Sequence, residues 1–302
     1  MFVDFDCELP KYVVREENSH KGTFGIVLGV GGCFGMAGSV AMAGRAGLLV
    51  GAGLSRLAVP KTILNTVAGF YPESTTIPLP EDRNGKIATN AFNKLIQNTI
   101  TATSLFIGTG LGRSAGLDKL VPKFLQQLDI LEKPNGIVVD ADALNALSGQ
   151  MPVFKRQNII FTPHSAELKR LIQNNQCQNI PDENDLINRI NVTKIFAKNY
   201  NVIVVLKGHK TIITDGINVF INNKTGNAGM ATGGSGDVLT GMIAGLIARG
   251  FSVFNAAKLG VYLHGAAGDI AAKKYGQESL TATNILETIP NAILEFQNQK
   301  VK

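Results

Sequence analysis

With 302 residues, 45% of them hydrophobic and 17% charged, the chain carries enough apolar material for a large core, which excludes a disordered or fibrous protein. Its net charge of +6 comes from scattered lysines and arginines without interleaved aromatics. A nucleic-acid partner is therefore not indicated, and the mild positive balance either attracts a small anionic ligand or is plain solvated surface.

In chain order, residues 1–19 read as a lead-in of mixed charge and residues 20–302 as one α/β domain. The start lacks the basic and apolar stretches of a signal peptide. The small-residue tract 36–54 contains glycines and Arg45, with Arg56 just beyond, which fits a buried helix and turn better than a membrane span. A cytoplasmic protein without a membrane partner is expected. Cys7, Cys33 and Cys177 are far apart with no CxxC spacing, so reduced, buried thiols are expected rather than disulfides or a structural zinc site.

The apolar run 24–31, closed by glycines, predicts a buried strand, and the alanine-rich stretch 36–50 a helix. Residues 54–59, ended by Pro60, form the next strand, 73–82 a loop or edge, and 87–98 a helix by spacing. Strands follow at 104–108, 136–140 and 158–161, each before a helix-compatible segment. This alternation predicts a mostly parallel, doubly wound sheet with its ligands at the strand C-terminal ends. The run 202–206 is the most strand-like in the chain; 211–214 and 219–221, around the turn Asp215-Gly216, predict an antiparallel hairpin and hence a mixed sheet. Helices are expected at 235–249 and 255–274, the first almost without charge and therefore buried.

The sharpest feature is the segment from Asn227 to Asp237, which opens directly into that apolar helix. Glycines at 229, 233, 234 and 236 let the backbone approach an anion, and the amides of a first helical turn have no partners within the helix. Asp237 falls in this turn. A carboxylate there either complements the helix end or accepts a proton from a substrate hydroxyl while the amides stabilise the charge that develops; both roles need the same placement. Lys207, after the strongest strand, is either solvated or a point charge for phosphate, and His164, after another strand, is either a structural hydrogen-bonding group or a ligand contact.

Several segments converge with this turn: His20-Lys21-Gly22, the glycine-rich turn from Gly31-Gly32 to Gly38, Gly51-Ala52-Gly53-Leu54, Gly108-Thr109-Gly110-Leu111-Gly112, the stretch Val139-Asp140-Ala141-Asp142-Ala143-Leu144-Asn145, Thr162-Pro163-His164, Leu206-Lys207-Gly208 and Gly233-Gly234-Ser235-Gly236-Asp237 followed by Leu239-Thr240-Gly241. Taken in order, over roughly residues 20–290, they resemble the ADP- or ATP-dependent NAD(P)H-hydrate dehydratases. The resemblance implies a ribokinase-like, three-layer α/β/α fold. It also implies a repair reaction in which the hydroxyl of hydrated NADH or NADPH is phosphorylated and phosphate eliminated, with ADP or ATP as donor and Mg2+.

By the same resemblance Asp237 is the catalytic base and contacts the substrate together with Gly110 and His164, with Ser39 and Val40 as further candidates. Lys207, Gly208, His209, Lys210, Thr211, Gly234, Ser235 and Gly236 bind the nucleotide. No metal ligand is assigned: Asp140 and Asp142 either orient a magnesium ion through water or, in the case of Asp142, cap a helix. The family implies a homo-oligomer, a tetramer, and functional pairing with a separate NAD(P)H-hydrate epimerase. Thr109 and Ser165-Ala166 stand where the family more often has proline or proline-glycine, which alters loop stiffness rather than functional groups. The competing readings are a ribokinase-like kinase of a vitamin precursor, whose product keeps the phosphate, and a nucleotide sensor without turnover.

Overall fold

Short apolar runs between glycine-rich turns make strands that can be covered on both faces, and the chain uses them so. The computed structural model describes residues 9–12, 15–174 and 184–299; Cys7, Cys177 and residues 1–8 of the lead-in lie outside them. In order come β1 (Ile26–Val30), α1 (Ala37–Leu49), β2 (Leu54–Pro60), α2 (Leu64–Phe70), β3 (Ser74–Leu79), α3 (Phe92–Thr99), β4 (Ser104–Ile107), α4 (Ala115–Leu131), β5 (Gly136–Val139), α5 (Ala141–Leu147), β6 (Ile159–Phe161) and α6 (Ser165–Asn174). They are followed by α7 (Leu186–Tyr200), β7 (Ile203–Leu206), β8 (Thr211–Thr214), β9 (Val219–Asn222), α8 (Ser235–Ala248), α9 (Val253–Tyr275) and α10 (Ala282–Gln299).

The strands form one nine-stranded sheet in the order β3-β2-β1-β4-β5-β6-β7-β8-β9. Neighbours from β3 to β7 run parallel, and β8 and β9 add as the antiparallel hairpin that Asp215-Gly216 signals. Alternate strand residues divide the core. Val27, Phe106, Val138 and Ile160 pack with α1, α8, α9 and α10 on one face. Leu28, Leu105, Ile137 and Ile159 pack with α3 to α7 on the other. This is the expected three-layer α/β/α arrangement.

Some boundaries differ from the expectation. Phe24 closes a short 3-10 turn (Lys21–Phe24), so the first strand begins at Ile26. The stretch expected to be helical from residue 87 starts its α-helix only at Phe92, because Ile87 bridges to Glu81 and Thr89–Ala91 is a 3-10 turn. The loop or edge at 73–82 contains the edge strand β3. Cys33 is a buried free thiol. Among the described residues no helix is long and apolar enough to cross a membrane.

Two features of this fold place the site. The chain leaves β1 toward β2 and β3 and returns to β4 on the opposite side of β1, so the loops after β1 and β4 diverge and open a crevice at the strand C-terminal ends. Helix α8 runs against α1 with the backbones nearly touching: a Cβ added at Gly241 would stand 1.9 Å from the Ala43 carbonyl oxygen, and one at Gly245 2.5 Å from that of Gly47.

Candidate active site

The start of α8 is shaped by glycine. Gly234 sits at the helix N-cap with φ of +89°, a left-handed conformation that disfavours a side chain, and an added Cβ would meet the Met42 side chain at 2.7 Å. Asp237 follows in the first turn. Because α8 is packed so closely on α1, the Ser39 hydroxyl of α1 hydrogen-bonds the Asp237 carboxylate. Gly110, with φ of +62°, comes so near that a Cβ there would lie 2.9 Å from the Ser39 Cβ and 2.7 Å from the Met36 carbonyl oxygen. Ser39, Gly110 and Asp237 thus gather at the crevice between the loops after β1 and β4. Val40 is wholly buried beneath Gly32, so its side chain belongs to the core.

On the other side of the same helix start is a buried ion network. Asp140, 1% exposed at the end of β5, accepts one hydrogen bond from Lys207 Nζ at 2.8 Å and another from the Thr240 hydroxyl of α8 at 2.8 Å. Lys207 Nζ also stands 3.9 Å from Glu167, which accepts the backbone N–H of His164 at 2.9 Å. His164 accepts the backbone N–H groups of Ala166 and Glu167 at its Nδ1 and leaves about half of its side chain exposed. A Cβ added at Gly236 would lie 3.3 Å from Lys207 Nζ, so the ammonium stands beside the amides of the helix start.

These placements set the charges. Burial first, then the Asp140 carboxylate, pushes Asp237 up to about 6, opposed by the Ser39 hydrogen bond and the Lys207 ammonium. Burial alone would lower Lys207, but Asp140, Glu167 and Asp237 together outweigh it and hold the ammonium above the ordinary lysine value. His264, on α9, lies with Nε2 3.4 Å from the Ser235 hydroxyl; burial chiefly holds it down to about 4, so it is neutral near pH 7.

A cavity of about 1140 Å³ opens beside this network. Lys207, Gly208, His209, Lys210, Thr211, Ser235, Gly236 and His164 all line it, so the structure brings together every expected nucleotide residue except Gly234, which faces Met42 and Ala282. Ser39, Gly110 and Asp237 are not among its lining residues and sit on the α1 side of the helix start. The glycine turn therefore lies between this cavity and the Ser39–Gly110 crevice, with Asp237 on the crevice side.

Asp142 does not cap α5. That position belongs to Asp140, whose side chain makes no capping bond, while Asp142 accepts the Gly112 N–H at 2.8 Å and the Asn145 amide at 3.3 Å. Among the described residues no group of three or more His, Cys, Asp or Glu side chains could hold a metal ion.

The sequence did not reveal the pairing of Asp140 and Glu167 with Lys207, the buried His264, or the part of the cavity lining formed by Asn222, Asn223 and Thr225. A lone histidine inside the apolar stretch of α9 and the polar run after β9 were the available signals.

Residues 27–291 match the family model described as NAD(P)H-hydrate dehydratase. The chain is 38% identical over 296 residues to the bifunctional NAD(P)H-hydrate repair enzyme Nnr of Moorella thermoacetica, covering 97% of this chain and 53% of that protein. It is 36% identical over 269 residues to the ADP-dependent (S)-NAD(P)H-hydrate dehydratase of Neisseria meningitidis serogroup B, covering 88% of this chain and 83% of that one. A ribokinase-like superfamily protein from Enterococcus faecalis superposes with a TM-score of 0.77 at 26% identity, over 94% of this chain and 92% of the other. The chain spans about half the length of the bifunctional relatives it matches. The family model and the relatives agree, and the chain belongs to the NAD(P)H-hydrate dehydratase family.

Proposed function

We propose that this chain converts hydrated NADH and NADPH back to NADH and NADPH, with ADP or ATP as phosphoryl donor. The observation that carries this reading is the position of Asp237, in the first turn of α8, on the Ser39–Gly110 side of the glycine turn that borders the cavity. The nucleotide occupies the cavity, with its phosphates at the amides of Gly234, Ser235 and Gly236 and its remainder along Lys207, Gly208, His209, Lys210 and Thr211. The hydrated ring lies toward Ser39 and Gly110, while His164, expected beside it, lines the nucleotide cavity and meets the substrate only where it reaches across the helix start, and the side chain of Val40 stays in the core.

Ionised Asp237 takes the proton of the ring hydroxyl as that oxygen attacks the terminal phosphorus, and the bond from phosphorus to the departing nucleotide breaks. The ring carbon–oxygen bond then breaks, releasing inorganic phosphate, and loss of a proton from the neighbouring ring carbon restores the double bond. The helix-start amides and Lys207 face the charge on the transferring group.

Mg2+ fits this site as an ion carried by the nucleotide. Asp140 accepts from Lys207 and Thr240, Asp142 accepts from Gly112 and Asn145, and neither lines the cavity, so the phosphates rather than a protein carboxylate would hold the ion. When bound, the ion neutralises phosphate charge.

The proposal extends to residues 20–302 as one catalytic domain, to a cytoplasmic tetramer, and to functional pairing with a separate NAD(P)H-hydrate epimerase. The decisive test incubates purified protein with hydrated NADH and either ADP or ATP, following the reduced-nicotinamide absorbance and inorganic phosphate together. Absorbance should return only with nucleotide, and phosphate should appear in equal amount. A phosphorylated dinucleotide that persists would point to a kinase instead, and no recovery with either donor would sink the proposal.

A further inference from the structure

The loop from Thr225 to Met230 lies between the last strand and the phosphate turn, and Gly226, Asn227, Ala228 and Met230 from it line the cavity. Apart from the single 3-10 turn Ala228–Met230 it has no regular structure to fix its shape. Helix α9 holds it from behind. A Cβ at Gly265 would strike the Thr225 hydroxyl at 2.4 Å and one at Gly268 the Met230 sulfur at 2.3 Å, so the helix presents two bare patches against which the loop can lie.

One residue further on, Asp269 spends both carboxylate oxygens on the loop. Oδ2 accepts the Gly226 N–H and Oδ1 accepts the Asn227 side-chain amide, each at 2.9 Å. The other end of that amide, Asn227 Oδ1, accepts the Gly229 N–H at 3.0 Å. Asp269, Asn227 and Gly229 therefore form a chain in which each acceptor and donor is used in one orientation. Gly226, at φ of +104°, is held in a conformation that only a glycine adopts readily.

We infer that Asp269 is a positioning residue for the adenine nucleotide. It does not line the cavity; it fixes Gly226 and Asn227 and so sets the wall that runs into Gly233-Gly234-Ser235. The inference rests on the reading that the nucleotide occupies this cavity. With the chain broken, the loop samples several shapes, and affinity falls by the fraction of time that the competent one is populated.

Calorimetric titration of ADP into the parent, Asp269→Ala and Asp269→Asn proteins tests this. Alanine removes both acceptors and should weaken binding by about tenfold or more, whereas asparagine keeps one acceptor oxygen and should cost only a few-fold. The KM for hydrated NADH should stay within about twofold, and amide hydrogen exchange should quicken at residues 226–230 but not at 207–211. ADP affinity within about twofold of the parent in both variants would overturn the inference, as would an equal loss of affinity for hydrated NADH in Asp269→Asn, which marks a general structural role. If the parent itself binds no adenine nucleotide, the reading of the cavity falls and the inference with it. If the parent binds and the variants match it, only the role of Asp269 falls.

Discussion

Burial and the Asp140 carboxylate hold Asp237 at about 6, against the Ser39 hydrogen bond and the Lys207 ammonium, which pull it down. An unfolded chain ionises this side chain near pH 4. Between about pH 4 and 6 the folded protein therefore retains a proton that the unfolded chain has lost, and stability falls as pH rises through that window. Above it the protein carries a buried charge that its surroundings oppose, which suits a base better than a structural cap. Asp237→Asn should accordingly melt no lower than the parent at pH 8, with the difference shrinking below about pH 4, while turnover drops by at least roughly a hundredfold. The parent rate should rise with pH through about 6 and then level. A variant that melts much earlier yet keeps its specific activity would make Asp237 a structural residue.

At the scale of elements, the proposed catalytic role of Asp237 depends on how closely two helices approach. Ser39 rides on α1 and Asp237 on α8, and their hydrogen bond requires the near-contact at Gly241 and Gly245. Gly241→Ala places a methyl group on the Ala43 carbonyl and must drive the helices apart. Overpacking of this kind costs about 1–3 kcal/mol, so urea denaturation should register a loss of that order and turnover should fall with it. Gly69→Ala supplies the contrast: that glycine sits exposed in α2 with nothing within 4 Å of an added Cβ, and alanine there should stabilise by about 0.5–1 kcal/mol without touching activity. If both substitutions behave alike, the close approach of α1 and α8 is not what positions Ser39 and Asp237.

At the scale of the whole molecule, the proposed tetramer would bring together four chains of formal charge +6. Like charge opposes association and is screened by salt. Sedimentation velocity should therefore find a tetramer at moderate ionic strength and partial dissociation when salt is lowered to about 10 mM, where the Debye length reaches about 30 Å. A monomer under all conditions would rule the assembly out. The cavity, the crevice and the helix start all lie within one chain, so this outcome bears on assembly rather than on the site's chemistry.

The alternation of apolar runs with glycine turns determined the layered sheet, because periodicity and turn chemistry are local properties, and the glycine turn before Asp237 was legible for the same reason. The start of the helix after residue 87 was not, since the pairing of Ile87 with Glu81 overrides its helical spacing. The partners of the site's charges were also hidden. Lys207 meets Asp140 across 67 residues of sequence, Thr240 reaches the same carboxylate across 100, and Asp269 binds Gly226 across 43. No spacing rule encodes such pairs. The first two exist because the parallel sheet sets the ends of β5 and β7 and the start of α8 at one edge, where a buried charge requires a partner, and the third because α9 packs behind the loop after β9. The sequence by itself determined the layered sheet and the glycine turn that opens into the helix of Asp237; only the tertiary structure decided which charges oppose Asp237, and that α9 stands behind the cavity wall.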